Sequence, residues 1–288
     1  MEASELIRRV RRVELRARGL SSQIFSGEYH SAFKGRGMAF SENRAYQHGD
    51  EIRTIDWNVT ARMRSPYVKV FEEERELTAM LLIDVSASGR LGSREKSKRE
   101  LAAELAAVLA FSAGQNNDKI GAILFSDRIE RFIPPKKGRS HILRIVREVI
   151  DLEPTGTGTD IRLALEHFGR VMKKRTIAFL ISDLQDTGFA DILKRTARKH
   201  DLVALQLVDD VELKAARLGW VAVADPEFGS SGFVDTSSLR WRKRYNRAAD
   251  RHQADIVDTM KRSGVDHTVL NTGKPYVQPL MQLFDRRG

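Results

Sequence analysis

From Thr78 onward the chain alternates two patterns. Short unbroken apolar runs are separated by stretches in which apolar residues recur at i, i+3 and i+4. "TAMLLID", "DKIGAILFS", "RTIAFLISD" and "DLVALQLVD" have the length and composition of buried strands. "RIERFIPP" follows "DKIGAILFS" closely enough to form a hairpin with it. "REKSKRELAAELAAVLAFSAG", "GRSHILRIVREVIDL", "IRLALEHFGRVMK" and "FADILKRTARKH" carry the helical period, the first of them ending at Gly114. Strands alternating with helices imply an α/β fold, a mainly parallel sheet with helices on both faces. In such sheets ligands bind beyond the carboxyl ends of the strands, where the strand order switches direction.

The flanks are less regular. Leu6, Val10, Val13, Ala17 and Leu20 predict an N-terminal amphipathic helix docked on the rest of the protein. Residues 27–76 read as turns and short strands, with "HGDE" a turn and "YVKVF" a strand. Beyond the alternating region, "GWVAVAD" and "SGFVD" form the arms of a short hairpin. A long helix runs from Ser237 to about Gly264, with Trp241, Tyr245, Ala248, His252 and Ile256 on one face, read as core. A last strand, "DHTVLNTG", and a closing helix, "PYVQPLMQLFDRR", complete the pattern. The expected division is residues 1–76 as an extension and 77–288 as the sheet domain.

Composition narrows the class. With 288 residues, 41% hydrophobic and 31% charged, the chain has the makeup of a globular protein of one large or two small domains. No apolar run approaches the roughly 20 residues that span a bilayer, and "MEASELIRRVRRVELRARGL" lacks the apolar core of a signal peptide. The expected location is the cytoplasm. The absence of cysteine excludes disulfides and thiolate metal sites. A net charge of +10 permits an acidic partner, but basic and acidic residues are interspersed, so nucleic acid is not the expected ligand. The five basic residues between Arg240 and Arg247 read as a solvated helix face.

The candidate chemistry lies at strand ends. "DVSAS" follows the first strand, "TGTGTD" opens a helix, and "SDLQD" follows "IAFLI". These place Asp84, Ser86, Ser88, Thr159 and Asp183 at one edge of the sheet. Short oxygen-bearing side chains of this kind suit a hard divalent cation. Taken singly, each is as readily a turn or helix cap. Together and in this order, "DVSAS", "GTGTD" and "SD" resemble the metal-ion-dependent adhesion site of von Willebrand factor A domains. The resemblance implies a von Willebrand factor A-like, Rossmann-like fold over about 77–210. It also implies Mg²⁺, or another divalent ion such as Mn²⁺ or Ca²⁺, among those five residues.

A second resemblance covers most of the chain. "GRGMAFSENRAYQHGDEIRTIDWNVTARMRSPYVKVFEEERE" is similar to the signature of the bacterial family called domain of unknown function 58. Arg44, Tyr46, Gly49, Asp50, Arg53, Asp56, Trp57, Ala61 and Arg62 match that pattern. His48 stands where the family has proline, and Gly89 where methionine is common. The resemblance implies a MoxR-type AAA+ ATPase as a working partner. Within "RTIDWNVTARMR", the expected arrangement pairs Asp56 with an arginine and uses Trp57 as an aromatic anchor on the sheet domain; the alternative is a docking surface.

Other motifs are missing: there is no HxxxH pair, no GxxxxGK[ST] and no GxSxG. The expected function is therefore a non-enzymatic, metal-dependent protein-interaction module that takes an acidic side chain of its partner. A metal-dependent phosphoesterase is the second reading, with Asp84 and Asp183 holding the ion. A basic nucleic-acid-binding protein is the third.

Overall fold

The structure is a computed structural model. It describes residues 38–73, 77–90, 92, 96–224 and 231–287, together with 13, 14, 17, 19 and 20. The chain divides into two compact units, one of Lys34–Leu77 and one of Met1–Phe33 with Thr78–Gly288.

In the smaller unit, β1 (Met38–Ala45) and β2 (Tyr67–Glu73) pair antiparallel. Between them lie a 3₁₀ turn, Ile52–Thr54, and a helix, α1 (Trp57–Met63). The sequence pattern suggested only turns and short strands here. A seven-residue helix is too short to show a period, but Asp56 caps it by accepting from the backbone N–H groups of Asn58 and Val59.

The larger unit is built on six strands in the order β10-β7-β6-β3-β4-β5. These are β3 (Thr78–Asp84), β4 (Lys119–Phe125), β5 (Ile129–Lys136), β6 (Ile177–Ser182), β7 (Asp201–Val208) and β10 (Asp266–Asn271). All neighbours are parallel except β4 and β5, the expected hairpin. Helices cover both faces, so the inner strands are apolar on both sides: Ala79 to Ile83 and Ile177 to Ile181 are all buried. The edge strand β5 contains Pro134 and Pro135, which offer no N–H to a further strand.

The crossover helices are α2 (Lys98–Gln115), α3 (Arg139–Asp151), α4 (Ile161–Val171) and α5 (Ala190–Lys199). Gly114 does not end α2. The helix runs past it, and a Cβ at Gly114 would come within 2.5 Å of Ile142 Cδ1 on α3. The glycine permits close helix packing rather than a cap. A one-turn helix, α6 (Asp210–Leu213), follows β7, and β8 (Trp220–Ala224) and β9 (Ser231–Asp235) form the expected hairpin. The long helix, α7 (Leu239–Ser263), is only partly core. Ile256 and Met260 are buried, Trp241 stacks on a half-buried Tyr245, and Ala248 is exposed. α8 (Val277–Asp285) closes the chain. Of the N-terminal stripe, Leu6 and Val10 lie outside the described residues, while Ala17 is helical and buried and Glu14 accepts from Arg139 at 2.8 Å.

β3 sits at the switch. The chain leaves it toward β4 on one side and enters β6 on the other. Diverging connections open a crevice above the carboxyl ends of β3 and β6.

Candidate metal centre

Asp84 ends β3, and its carboxylate is gripped from two sides. The backbone N–H of Ser86 donates to Oδ1 at 2.9 Å, and the Ser182 hydroxyl, from the end of β6, donates to Oδ2 at 2.7 Å. Ser86 and Ser88 bring their hydroxyl oxygens within 3.0 Å of each other in the tight turn that follows. Alternation in the sequence would place residues 84, 86 and 88 on one side of an extended strand. The turn achieves the same result by folding the loop back on itself.

Asp183 lies across the crevice and is buried. Its position is set by a sharp turn in which Leu184 adopts φ 58°, a left-handed conformation that is uncommon for leucine. The Leu184 N–H donates to Ser182 Oγ at 3.1 Å and the Gln185 N–H to Asp183 Oδ1 at 3.3 Å. The other oxygen, Oδ2, accepts from the Lys98 ammonium at 2.6 Å. Lys98 also donates to Glu212 Oε1 at 2.7 Å, and Glu212 uses its second oxygen to accept from the Asp209 N–H at 3.0 Å. Lys98 is 1% exposed.

These surroundings shift two groups. Burial, and then the negative charge of Asp183, push the Asp84 carboxyl up to about 6, against the opposing hydrogen bonds from Ser86 and Ser182. Burial pulls Lys98 down, but Asp183 and Glu212 together outweigh it, so its ammonium is held more firmly than usual. The crevice thus contains a protonatable carboxylate beside a carboxylate–ammonium pair.

The glycine-rich loop is tied down by acids from the β4–β5 hairpin, Asp127 in its turn and Glu130 in β5. Glu130 accepts from the N–H groups of Thr155 and Gly156 and from the hydroxyls of Thr155 and Ser126, at 2.7–3.0 Å. Asp127 accepts from the Thr157 N–H at 3.3 Å. A Cβ at Gly156 would come 2.1 Å from Asp127 Oδ1 and 2.2 Å from Ser126 Oγ. The loop's donors therefore face the protein's own carboxylates, which does not suit a phosphate cradle. Asp160 then caps α4 at the Leu163 N–H, and Asp186, from "SDLQD", accepts from the Ile161 N–H at 2.8 Å.

Asp84, Ser86, Ser88 and Asp183 come together as a cluster. Thr159 is half-buried in the loop before α4, which Asp186 links to the β6 loop. A void of about 10 Å³ adjoins Asp84, Ser88, Lys98, Ser182 and Asp183, and Thr159 is not among its lining residues. Two carboxylates and two neighbouring hydroxyls are the donor types a small hard cation takes, and the oxygens carry more lone pairs than these N–H and O–H donors occupy. The residues fit such an ion in kind. Among the described residues, no group of three acidic or imidazole side chains forms a metal cage.

Lys98, Ser182 and Glu212 were not legible as site residues. A lysine in the first turn of a helix is ordinarily solvated, and nothing in "SKRELAAEL" marks Lys98 as buried. The signal, in retrospect, is that the residues after it in α2, Leu101 to Ala113, are all buried, so little of this helix faces water.

The second motif forms its own cluster. Arg44 donates to both oxygens of Asp50, at 2.8 and 2.7 Å, and the Gln47 N–H donates to Oδ2 at 2.8 Å. The Arg44 hydrogen bond holds the Asp50 carboxyl below its ordinary range. Gly49, at φ 108°, makes the turn between them possible. Tyr46 donates its backbone N–H to Pro66 O at 2.9 Å. One expectation is corrected. Asp56 pairs with Lys69 at 3.6 Å rather than with an arginine, and its main role is the cap of α1. The Trp57 ring is 67% exposed. Arg53, Ala61 and Arg62 are exposed as well.

The mainly parallel sheet with an antiparallel edge strand has a von Willebrand factor A-like fold, and an Asp-x-Ser-x-Ser loop lies at its switch point. The chain belongs to the family described as "Protein of unknown function DUF58", whose model matches residues 42–255. It is 28% identical over 283 residues to "Uncharacterized protein Rv1480" of Mycobacterium tuberculosis, covering 96% of this chain and 88% of that one. Among solved structures it is similar to an aerotolerance-related membrane protein from Bacteroides fragilis, with 16% identity, a TM-score of 0.50, and 73% and 99% of the two chains covered. It is also similar to the SpRpn10 VWA domain, with 12% identity, a TM-score of 0.39, and 73% and 95% covered. Among the described residues no helix is long and apolar enough to cross a membrane.

Proposed function

We propose that this protein is a metal-dependent, non-enzymatic interaction module that captures an acidic side chain of a protein partner at the carboxyl edge of its sheet. The observation that carries this is the pairing of the Ser86 and Ser88 hydroxyls, 3.0 Å apart, beside the Asp84 carboxylate at the switch point. Asp84, Ser86, Ser88 and Asp183 would hold a divalent ion such as Mg²⁺, with Thr159 contributing from the neighbouring loop. Such an ion supplies a Lewis-acid position for a partner's carboxylate. The chain's own residues orient the donors: Ser182 and the Ser86 N–H fix Asp84, and the Leu184 turn fixes Asp183. Only two carboxylates contribute, which leaves a divalent ion room for an acidic ligand from outside. The family resemblance proposes a MoxR-type AAA+ ATPase as the machine with which this module works in complex assembly or maturation.

The test is capture of that ATPase by the full chain in Mg²⁺, in chelator, and with Asp84→Ala. The expected result is binding in Mg²⁺ that chelator and the substitution both abolish. Equal capture in all three conditions would overturn metal-dependent docking.

A further inference from the structure

Lys98 is anomalous for a cation site. Its ammonium is buried and donates to Asp183 Oδ2 at 2.6 Å, so one of the two carboxylates proposed to hold a divalent ion already holds a positive charge. Its second partner, Glu212 at 2.7 Å, is in turn fixed by the Asp209 N–H from the end of β7. The void beside Asp84 is bounded by Lys98, Arg99 and Asp183, and the ammonium that donates to Asp183 would be a close neighbour of a divalent ion there. Like charges at such separations, in a poorly solvated crevice, repel strongly.

We propose that the Lys98 ammonium is the resident counter-cation of this site, competing with a divalent ion for Asp183 and thereby setting the site's affinity. Glu212 is the second seat: it retains the ammonium when Asp183 is drawn toward the ion. The proposal rests on reading the Asp84 cluster as a cation site and adds what limits its occupancy. Lys98 already neutralises part of the negative charge of Asp183 and Glu212. Lys98 is therefore an affinity-setting residue rather than a ligand.

The experiment measures Mn²⁺ binding to the full chain, by the loss of the free-ion paramagnetic resonance signal, and Mg²⁺ binding by calorimetry. The proteins are wild type, Lys98→Met, Lys98→Met/Glu212→Gln, and each with Asp84→Ala added. Removing the ammonium should tighten Mn²⁺ binding roughly tenfold or more. The double variant removes one positive and one negative charge. A gain there reports lost competition rather than added negative charge, and it serves if the single variant fails to fold. Asp84→Ala should abolish binding in every background. If wild type binds Mn²⁺ through Asp84 and neither Lys98 variant binds more tightly, the role of Lys98 is overturned and the cation site stands. If no protein binds Mn²⁺ or Mg²⁺, both readings fall.

Discussion

Replacing Lys98 by methionine keeps the length of the side chain and removes its charge. The ammonium bridges Asp183, 4% exposed, and Glu212, whose side chain is 20% exposed, at 2.6 and 2.7 Å. Glu212 can turn toward water, but Asp183 has no such exit and would be left as a buried, unpaired carboxylate. Breaking a buried pair from one side costs about 3–5 kcal/mol. A chain of this size loses roughly 2–4 °C of Tm per kcal/mol, so a fall on the order of 6–20 °C is expected. Urea unfolding of Lys98→Met, Asp183→Asn and the double variant, with chelator present, separates the pair from its surroundings. The double variant should recover about 2 kcal/mol relative to the sum of the singles. A coupling energy below about 0.5 kcal/mol would refute the reasoning, because it would mean that Asp183 does not need the ammonium.

Asp84 gives a pH test. Its carboxyl titrates near 6 in the folded chain and near its ordinary 3.8 when unfolded, so folding takes up a proton between those values. Without divalent ions, stability should fall as the pH rises from about 4 to about 6 and then level off, by up to about 3 kcal/mol, and Asp84→Asn should flatten that slope in pH-dependent urea titrations. Glu130→Ala removes the acceptor of four hydrogen bonds and should cost about 2–3 kcal/mol, with faster amide hydrogen exchange at Thr155 and Gly156. Unchanged exchange there would contradict the loop-clamp role. Trp57→Ala should change stability by less than about 0.5 kcal/mol, since the ring is exposed; a larger loss in thermal unfolding would support a role as anchor.

The alternating half of the chain was legible because burial on both faces forces unbroken apolar strands, as in Ala79 to Ile83, and the helices between them obey the 3.6-residue period. Legibility failed where one residue serves two geometries. Gly114 looks like a helix stop and is a packing contact with Ile142. Ala248 fits the drawn stripe of α7 but is exposed, because only the end of that helix, at Ile256 and Met260, enters the core. The helix at Trp57–Met63 is too short to show a period. Its cap, Asp56, was visible as a residue but not as a cap.

The order of oxygen-bearing residues along the chain determined which strand ends carry the candidate site, because strand parity and connection handedness bring successive βα loops to one edge. It determined Asp84, Ser86, Ser88 and Asp183 as neighbours. Tertiary structure alone decided what else stands among them. Lys98, Asp183 and Glu212 are separated by 85 and 114 residues from the lysine outward, and no local pattern links them. Their meeting depends on β6 lying beside β7 and on the first residue of α2 reaching the segments that follow both, where water is excluded and a charge must find its partner within the fold.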